Sequence, residues 1–376
     1  MDRINIGLLF STSGTYRHLG RNGLLGALYA IEKVNGDPSY PFTLNADIRN
    51  PAGVVSDYVH HARSLLTSNI HHLVGTITSS TRKEIIPDVR EYRGLLWYGI
   101  PYEGYECDEN VVYHGACPNQ NLLPLLEYAV KQFGKRIAIL GSNYVWGWES
   151  CRIAREAILS VGGEVLDDSF YHLDTLNFDL IIQKLKQSHP DFIINNLIGD
   201  SSYAFLHQLD NQWSHSPLPV LSCNLTECEL TCLNELPHLR LYSSLIFFES
   251  LNPAFVAQAR QFVGTDTRIT GNFVGSYLSV MSLANAIVKA DSAEVDRVCA
   301  VLPEISTDSP MSVEIRIAAN QHAILPCSIG ERLGDSFVPV VNFPATAPNP
   351  YLVGHEFLTS TSGQETEPQR KLRLIR

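Results

Sequence analysis

Segments with the pattern of buried strands alternate with amphipathic helical segments along most of the chain, and this alternation constrains the fold more than any other feature. Ile4–Phe10 is a strand-like run, after which Leu24, Leu28 and Ile31 fall on one helical face. A second set of alternating segments begins near Asn119. Strands that alternate with helices are typical of parallel sheets covered by helices, so we predict an α/β fold.

The chain is too long for one ordinary core. Its 376 residues suit two domains of about 150 to 200 residues each. Two long helical patterns, Ala254–Val263 and Asn272–Ala290, follow the second set of segments. The last residues, 358–376, are polar with mixed charges, and we predict that they form a disordered tail. These observations predict two α/β domains built on parallel sheets.

Charge and composition exclude several functional classes. The formal net charge is −11 and no run of Lys and Arg is present, so direct nucleic-acid binding is not expected. We find no apolar stretch near the ~20 residues that span a bilayer, and we expect no membrane insertion. The N-terminus enters a strand without a cleavage site, and eight scattered cysteines favour a reducing compartment without disulfides. We expect a cytoplasmic protein, or a periplasmic one if a leader has been removed.

Motifs of the common enzyme classes are missing from the sequence. There is no Gly-x-Ser-x-Gly elbow, no phosphate-binding Gly-x-x-x-x-Gly-Lys loop and no His-Glu-x-x-His. The spacing of Cys223, Cys228 and Cys232 misses the usual zinc pattern. We therefore expect no catalytic residues, no metal and no cofactor.

Several segments carry a resemblance to a known family. They are Ile6–Ser11, Leu73–Gly75, Ser79–Lys83, Pro101–Glu106, Val112–Asn121, Gly141–Tyr144 and Asn320–His322. Together they resemble the type I periplasmic binding proteins, in particular the branch that contains urea-binding transport proteins and the amide-binding regulator of bacterial amidase operons. The resemblance runs from about Ile4 to Val353, nearly the whole chain.

The resemblance implies an α/β fold of two doubly wound parallel-sheet lobes. Three crossovers near Asn119, Ser244 and Gly330 would join the lobes. The N-terminal lobe would then comprise residues 1–118 and 245–330, and the C-terminal lobe residues 119–244 and 331–357. A ligand is expected in the cleft at the carboxyl ends of the strands, where open α/β sheets place their sites.

The resemblance also assigns ligand-binding residues, which are Ser79, Tyr98, Pro101, Tyr144, Ile198 and Asn224. The residues themselves support the first of these. Ser79 follows a strand and precedes a helix that Ser80 can cap, and the free N–H groups at a helix start, with the hydroxyl, suit a carbonyl oxygen. A tyrosine hydroxyl such as that of Tyr144 can both donate and accept, which suits an amide.

Three positions depart from the amide regulator. Ile77, Ile100 and Trp146 each replace a hydroxyl-bearing residue, and we expect all three in the pocket. The resulting pocket is more apolar, which favours an amide with an apolar group over urea. An amino-acid ligand is an alternative, because Glu227 and Glu229 could bind its α-amino group.

Two functions follow from the resemblance. In the first, the protein is a cytoplasmic sensor that closes on a small amide or urea-like molecule and controls an RNA-binding transcription antiterminator as its negative regulator. In the second, it is the substrate-binding component of an ABC importer for urea, short-chain amides or branched-chain amino acids, with a permease as partner.

Overall fold

The structure, a computed structural model, describes residues 2–357 and contains two large sheets covered by helices. The predicted disordered tail, residues 358–376, lies outside the described residues. We call each sheet with its helices a lobe. The first lobe holds the sheet that begins the chain, and the second lobe holds the larger sheet.

The first sheet has five parallel strands in the order β2-β1-β3-β4-β5. Its strands are β1 (Asp2–Leu9), β2 (Phe42–Arg49), β3 (His72–Gly75), β4 (Leu95–Tyr98) and β5 (Val111–Tyr113). The helices that belong to this lobe are α1 (Arg17–Gly36), α2 (Val55–Thr67), α3 (Ser79–Glu91), α9 (Pro253–Val263), α10 (Gly271–Ala290) and α11 (Val295–Val301). A separate two-stranded sheet pairs β11 (Ser306–Asp308) with β12 (Glu314–Arg316).

The second sheet has seven strands in the order β14-β13-β10-β9-β8-β6-β7, and all neighbours from β7 to β10 are parallel. Its strands are β6 (Arg136–Ser142), β7 (Glu164–Tyr171), β8 (Phe192–Asn196), β9 (Leu218–Ser222), β10 (Leu239–Leu245), β13 (Leu325–Leu333) and β14 (Ser336–Thr346). The helices of this part of the chain are α4 (Leu122–Gln132), α5 (Val145–Ser160), α6 (Asp179–Ser188), α7 (Asp200–Gln212) and α8 (Glu227–Leu230).

Both sheets repeat one plan, which confirms the predicted fold class of two doubly wound lobes. The five parallel strands of the second sheet follow the same spatial order as those of the first, with the second strand outside the first one. In such a sheet the strand order reverses beside the first strand, and ligands bind at that switch point. Each lobe therefore presents one wall of a candidate site.

The third crossover lies earlier in the chain than predicted. β13 pairs antiparallel with β10, so Leu325 to Gly330 belong to the second sheet and not to the first lobe. Tyr113 still forms a bridge with His322 beside the first sheet. The crossing therefore falls between His322 and Leu325, because backbone hydrogen bonds, not the hydrophobic pattern, decide to which sheet a strand belongs.

α10 corrects the prediction that no segment is apolar enough for a membrane. This helix passes the length and hydropathy criteria for a span, and 72% of its most apolar window is buried. It packs along α1, where a Cβ on Gly26 would lie 2.1 Å from the carbonyl oxygen of Phe273. Such close backbone contact requires glycine. The apolar sequence of α10 is therefore explained by its position in the core of the first lobe.

Candidate ligand-binding cleft

A small cavity lies between the two lobes, at the carboxyl ends of their parallel strands. The first lobe supplies the β3–α3 and β4–β5 loops and the starts of α1 and α10, and the second lobe supplies the residues after β6, β8 and β9 and the end of β10. The lining residues are Tyr16, Leu19, Ile77, Thr78, Ser79, Ile100, Pro101, Tyr144, Trp146, Ile198, Asn224, Leu245 and Asn272.

The structure brings together eight of the nine side chains that the sequence assigned to the pocket. They are Ser79, Pro101, Tyr144, Trp146, Ile198 and Asn224, with Ile77 and Ile100. Ile77 and Ile100 are almost fully buried. The eight residues come from five separate loops that lie far apart in sequence. Their contact with a ligand stays a prediction.

Tyr98 is the exception, because it does not line the cavity. It is fully buried at the end of β4, where the guanidinium of Arg82 lies 4.6 Å from its ring centre. Its hydroxyl has no hydrogen-bond partner among residues 2–357. Tyr98 therefore packs outside the cavity lining, with Arg82 against one face of its ring.

Five lining residues were missed in the sequence: Tyr16, Leu19, Thr78, Leu245 and Asn272. One of them, Asn272, could have been identified as a candidate site residue from the sequence. Asn272 is a buried polar residue near the start of the apolar α10, and polar residues in such a place are commonly functional or hydrogen-bonded. Tyr16 and Leu19 reach the cleft only because α1 packs against α10, which local sequence does not reveal.

The cavity is small and largely apolar. Its volume is about 40 Å³, which is room for roughly three or four water molecules. No Asp, Glu, Lys, Arg or His side chain is among its lining residues in the described part of the chain. The cavity therefore suits an uncharged molecule of few non-hydrogen atoms.

The polar groups of the second-lobe wall are only partly available. The side chain of Asn224 accepts from Ser222 at 2.7 Å and donates to the carbonyl of Leu197 at 3.3 Å, which leaves it one N–H. Burial, with the neighbouring phenols of Tyr16 and Tyr98, raises the pKa of Tyr144, so its hydroxyl stays protonated and can donate and accept.

Trp146 retains a polar group despite the loss of a hydroxyl at its position. The indole N–H is buried and has no hydrogen-bond partner within residues 2–357. An unpaired buried donor of this kind costs about 1–3 kcal/mol. A ligand that presents an oxygen to this N–H would recover that cost.

The start of α3 forms the polar part of the first-lobe wall. Thr78, not Ser80 as predicted, is the N-cap residue, and its side chain accepts from the backbone N–H of Thr81. Ser79 is the first helical residue. The first N–H groups of a helix have no intrahelical acceptor, so those of Ser79 and Ser80 remain available for an acceptor at this end of the helix.

A buried ion network lies directly behind Ser79. We call Arg82, Lys83, Glu103 and Glu106 the charged quartet. Arg82 bonds to Glu103 at 3.2 Å and to Glu106 at 2.6 Å, and Lys83 bonds to Glu106 at 2.7 Å. Burial alone would raise the pKa of Glu106, but the charges of Arg82 and Lys83 outweigh it and lower that pKa to about 2. The quartet carries two charges of each sign and is neutral as a whole.

The two carboxylates considered for an amino-acid ligand do not line the cavity. Glu229 is buried and accepts from the Thr226 backbone N–H at 2.9 Å and from the Tyr203 hydroxyl at 3.0 Å, and burial raises its pKa to about 7. Glu227 is fully buried beneath Glu249, and burial raises its pKa to about 8. No carboxylate of residues 2–357 is therefore placed on the cavity wall to bind an α-amino group.

The lobes contact each other beside the cavity. Nη2 of Arg17 on α1 lies 3.2 Å from Oδ1 of Asp200 on α7. The guanidinium of Arg152 on α5 lies 4.8 Å from the ring centre of Tyr105, in the β4–β5 segment. These contacts describe a closed arrangement of two lobes that a hinge could separate.

Several solved proteins have a structure similar to the two-lobed fold of this chain. A solute-binding protein of an ABC transporter from R. palustris, solved with 4-hydroxybenzoate, has a TM-score of 0.82 and 18% identity over 94% of this chain and 100% of that chain. Another from R. palustris, solved with benzoate, has a TM-score of 0.81 and 16% identity, with 93% and 98% covered. A leucine-binding protein from Thermotoga maritima has a TM-score of 0.76 and 14% identity, with 90% and 98% covered.

These TM-scores establish a shared fold. The sequence is also matched by the model of a protein family, described as the periplasmic binding protein domain, over residues 4–356. This confirms the resemblance at the level of the family, whereas the amide-regulator branch remains a prediction. Because the match spans nearly the whole chain, the protein belongs to the periplasmic binding protein domain family.

Proposed function

We propose that this protein is the solute-binding component of an ABC importer and that it captures a short-chain amide in the interlobe cleft. The observation that carries the proposal is the convergence of eight predicted residues on one small cavity whose lining has no charged side chain. The ligand would be released to a membrane permease when the lobes separate. No catalytic step is part of this function.

Transport is supported better than regulation. Solved relatives of the same fold are described as solute-binding proteins of ABC transporters and as a leucine-binding protein. The regulator of transcription antitermination, its RNA-binding partner and a cytoplasmic location remain the alternative that the sequence suggested. A transport role instead requires a location on the outer side of the membrane that holds the permease.

The chemistry of the cavity favours an amide with a small apolar group. An amide carbonyl and NH₂ can be matched by the polar side chains of Ser79, Tyr144, Asn224 and Trp146. A methyl or ethyl group then contacts Ile77, and burial of apolar area contributes about 25 cal/mol per Å². Urea has a second NH₂ in place of this group.

We expect acetamide or propionamide to bind with a dissociation constant in the micromolar range, about −8 kcal/mol. Urea should bind about tenfold to a hundredfold more weakly, because an unmatched buried polar group costs roughly 1–3 kcal/mol. Isothermal titration calorimetry with acetamide, propionamide, butyramide, benzamide and urea measures both expectations. Benzamide should bind weakly, because the cavity of about 40 Å³ is too small for a phenyl ring.

Leucine serves as the reference ligand for the amino-acid alternative. Tight binding of leucine, or of urea, would contradict the proposed ligand class while leaving a solute-binding role in place. If none of these compounds binds, the proposal that this protein captures a small polar solute is contradicted.

A further inference from the structure

We propose that Glu103 is a positioning residue that holds the Ser79 hydroxyl as a hydrogen-bond acceptor, so that the cleft selects an amide over the carboxylate of the same shape. The inference rests on the proposed function and names the group that gives it its selectivity. The geometry of Ser79 and the charged quartet carries it.

The first step concerns the single proton of the Ser79 hydroxyl. Ser79 is buried, and its Oγ donates to Oε2 of Glu103. An ionised carboxylate can only accept hydrogen bonds, so the hydroxyl proton must point toward Glu103. Oε1 of the same carboxylate accepts from Arg82 at 3.2 Å and lies 3.5 Å from the Lys83 ammonium.

The second step concerns the two lone pairs of the Ser79 hydroxyl oxygen. Nη1 of Arg82 donates to Oγ at 3.3 Å, which occupies one lone pair. The other lone pair is free, and Ser79 lines the cavity. A hydroxyl held in this way can accept an N–H from a ligand but cannot donate to a ligand oxygen. This reverses the expectation from the sequence that the Ser79 hydroxyl binds a carbonyl.

The third step concerns the opposite wall. The indole N–H of Trp146 is buried without a partner in the described chain, and Trp146 also lines the cavity. The cleft therefore offers a donor on the second lobe and an acceptor on the first. An amide presents a carbonyl oxygen and an N–H and satisfies both groups. A carboxylate presents only acceptors and would face the lone pair of Ser79.

The charged quartet adds no net charge that would favour the carboxylate. Arg82 and Lys83 are paired with Glu103 and Glu106, so the quartet is neutral, and the cation of Arg82 is further enclosed by the rings of Tyr98 and Tyr102. The free backbone N–H groups of Ser79 and Ser80 can bind one oxygen of either ligand. The discrimination therefore depends on the direction of the Ser79 hydroxyl proton, which faces the second polar atom of the ligand.

The test compares isosteric pairs by calorimetry: acetamide with acetate, and propionamide with propionate. The wild-type protein should bind each amide at least about tenfold more tightly than its acid, since the acid leaves buried hydrogen-bonding groups unmatched. In Glu103→Gln, the side-chain oxygen stays with Arg82 and the NH₂ donates to Ser79, which turns the hydroxyl proton toward the ligand. The preference for the amide should then fall by about tenfold or disappear.

Glu106→Gln is the matched control. It removes the same charge from the same quartet, but Glu106 bonds to Arg82, Lys83 and Tyr113 and not to Ser79. The ratio of amide to acid affinity should stay within about threefold of the wild-type ratio, even where both affinities fall. In a Ser79→Ala background, Glu103→Gln should no longer change the ratio, because no hydroxyl is left to reorient.

Three results would overturn the inference. They are a wild-type protein that prefers the acids, an equal shift of the ratio in Glu103→Gln and Glu106→Gln, and an undiminished effect of Glu103→Gln in the Ser79→Ala background. Acid preference with tight binding leaves the solute-binding role intact, whereas no binding of either member of any pair removes the proposed ligand class and this inference with it. If Glu103→Gln does not fold, a wild-type preference for the acids still overturns the inference.

Discussion

Replacing Arg82 with methionine is expected to lower the free energy of unfolding by about 3–5 kcal/mol, because it removes the buried cation that pairs with Glu103 and Glu106. The side chains of Arg82 and Glu103 are 0% and 1% exposed, and that of Glu106 is 12% exposed. Methionine retains the length and the packing of the side chain against Tyr98 and Tyr102. The expected decrease in the free energy of unfolding therefore arises mainly from the lost charge and its hydrogen bonds, and less from an empty space in the core.

The stability lost in Arg82→Met should be larger at neutral pH than at acidic pH. The pKa of Glu106 is lowered in the folded protein from 4.5 to about 2. A lowered pKa contributes stability above the unfolded value of 4.5, and this contribution is lost as the pH falls from about 4.5 toward 2. Arg82→Met removes most of this contribution. The difference in stability between wild type and variant should therefore be large at pH 7 and should narrow as the pH approaches 3.

Urea unfolding followed by circular dichroism at pH 7 and at pH 3 to 4 measures both effects. Lys131→Met is the control, because Lys131 and Glu127 form an exposed pair on α4, with side chains 49% and 41% exposed. Exposed helix pairs contribute about 0.3–0.5 kcal/mol. A loss in Arg82→Met no larger than that in Lys131→Met would show that the quartet does not stabilise the first lobe.

The fold class could be predicted because the buried strands and helix faces repeat with clear local periods. The helical patterns at 254–263 and 272–290 match α9 and α10 to within one residue at each end. Apolar residues repeat with these periods because one side of each helix or strand faces the core. The repeat can be detected within the few residues of a single element. The order of the strands then follows from the doubly wound plan.

The last strands were harder to predict. β14 carries Pro339 and Pro344, residues that disfavour an ordinary strand, yet it pairs with β13 at the edge of the second sheet. Proline is tolerated at sheet edges because no further strand needs its missing N–H. Whether a strand is at an edge depends on the whole sheet, so the position of the third crossover was not readable from the local pattern.

The charged quartet shows a second limit of sequence reasoning. Arg82 and Lys83 lie on α3, and Glu103 and Glu106 follow β4 about twenty residues later. In sequence they are ordinary charged residues, of a kind that is usually solvated. The packing of α3 against the β4–β5 segment buries Arg82, which lies against the ring of Tyr98. The sequence resemblance identified eight of the thirteen residues that line the cavity, but not the charged quartet behind Ser79.

Other grooves on the molecule are larger than the proposed site. One of about 500 Å³ lies near Arg3, His72, Arg93 and Ala293, at the amino ends of the first-lobe strands. Size alone would favour it. Parallel sheets, however, place ligands at the carboxyl ends of their strands, and this groove lies entirely within one lobe. A ligand there would not be enclosed by closure of the lobes.

Ile198→Trp should abolish ligand binding, with a loss of at least about a hundredfold or ~2.7 kcal/mol, because the larger indole fills the cavity from the second-lobe wall. Ile198 is 6% exposed and lies in the loop between β8 and α7, so its side chain faces the cavity of about 40 Å³. The added atoms occupy the space of the ligand, so the loss should appear in the affinity for acetamide while the far-ultraviolet circular dichroism spectrum stays that of the wild type.

Ala293→Trp is the matched control, since it places the same indole in the larger groove of the first lobe. Calorimetric titration of acetamide or propionamide into both variants separates the two sites. Unchanged affinity in Ala293→Trp together with lost affinity in Ile198→Trp locates the ligand between the lobes. The reverse pattern would locate it at the amino ends of the strands, and the assignment of every cleft residue, from Ser79 to Asn224, would then be wrong.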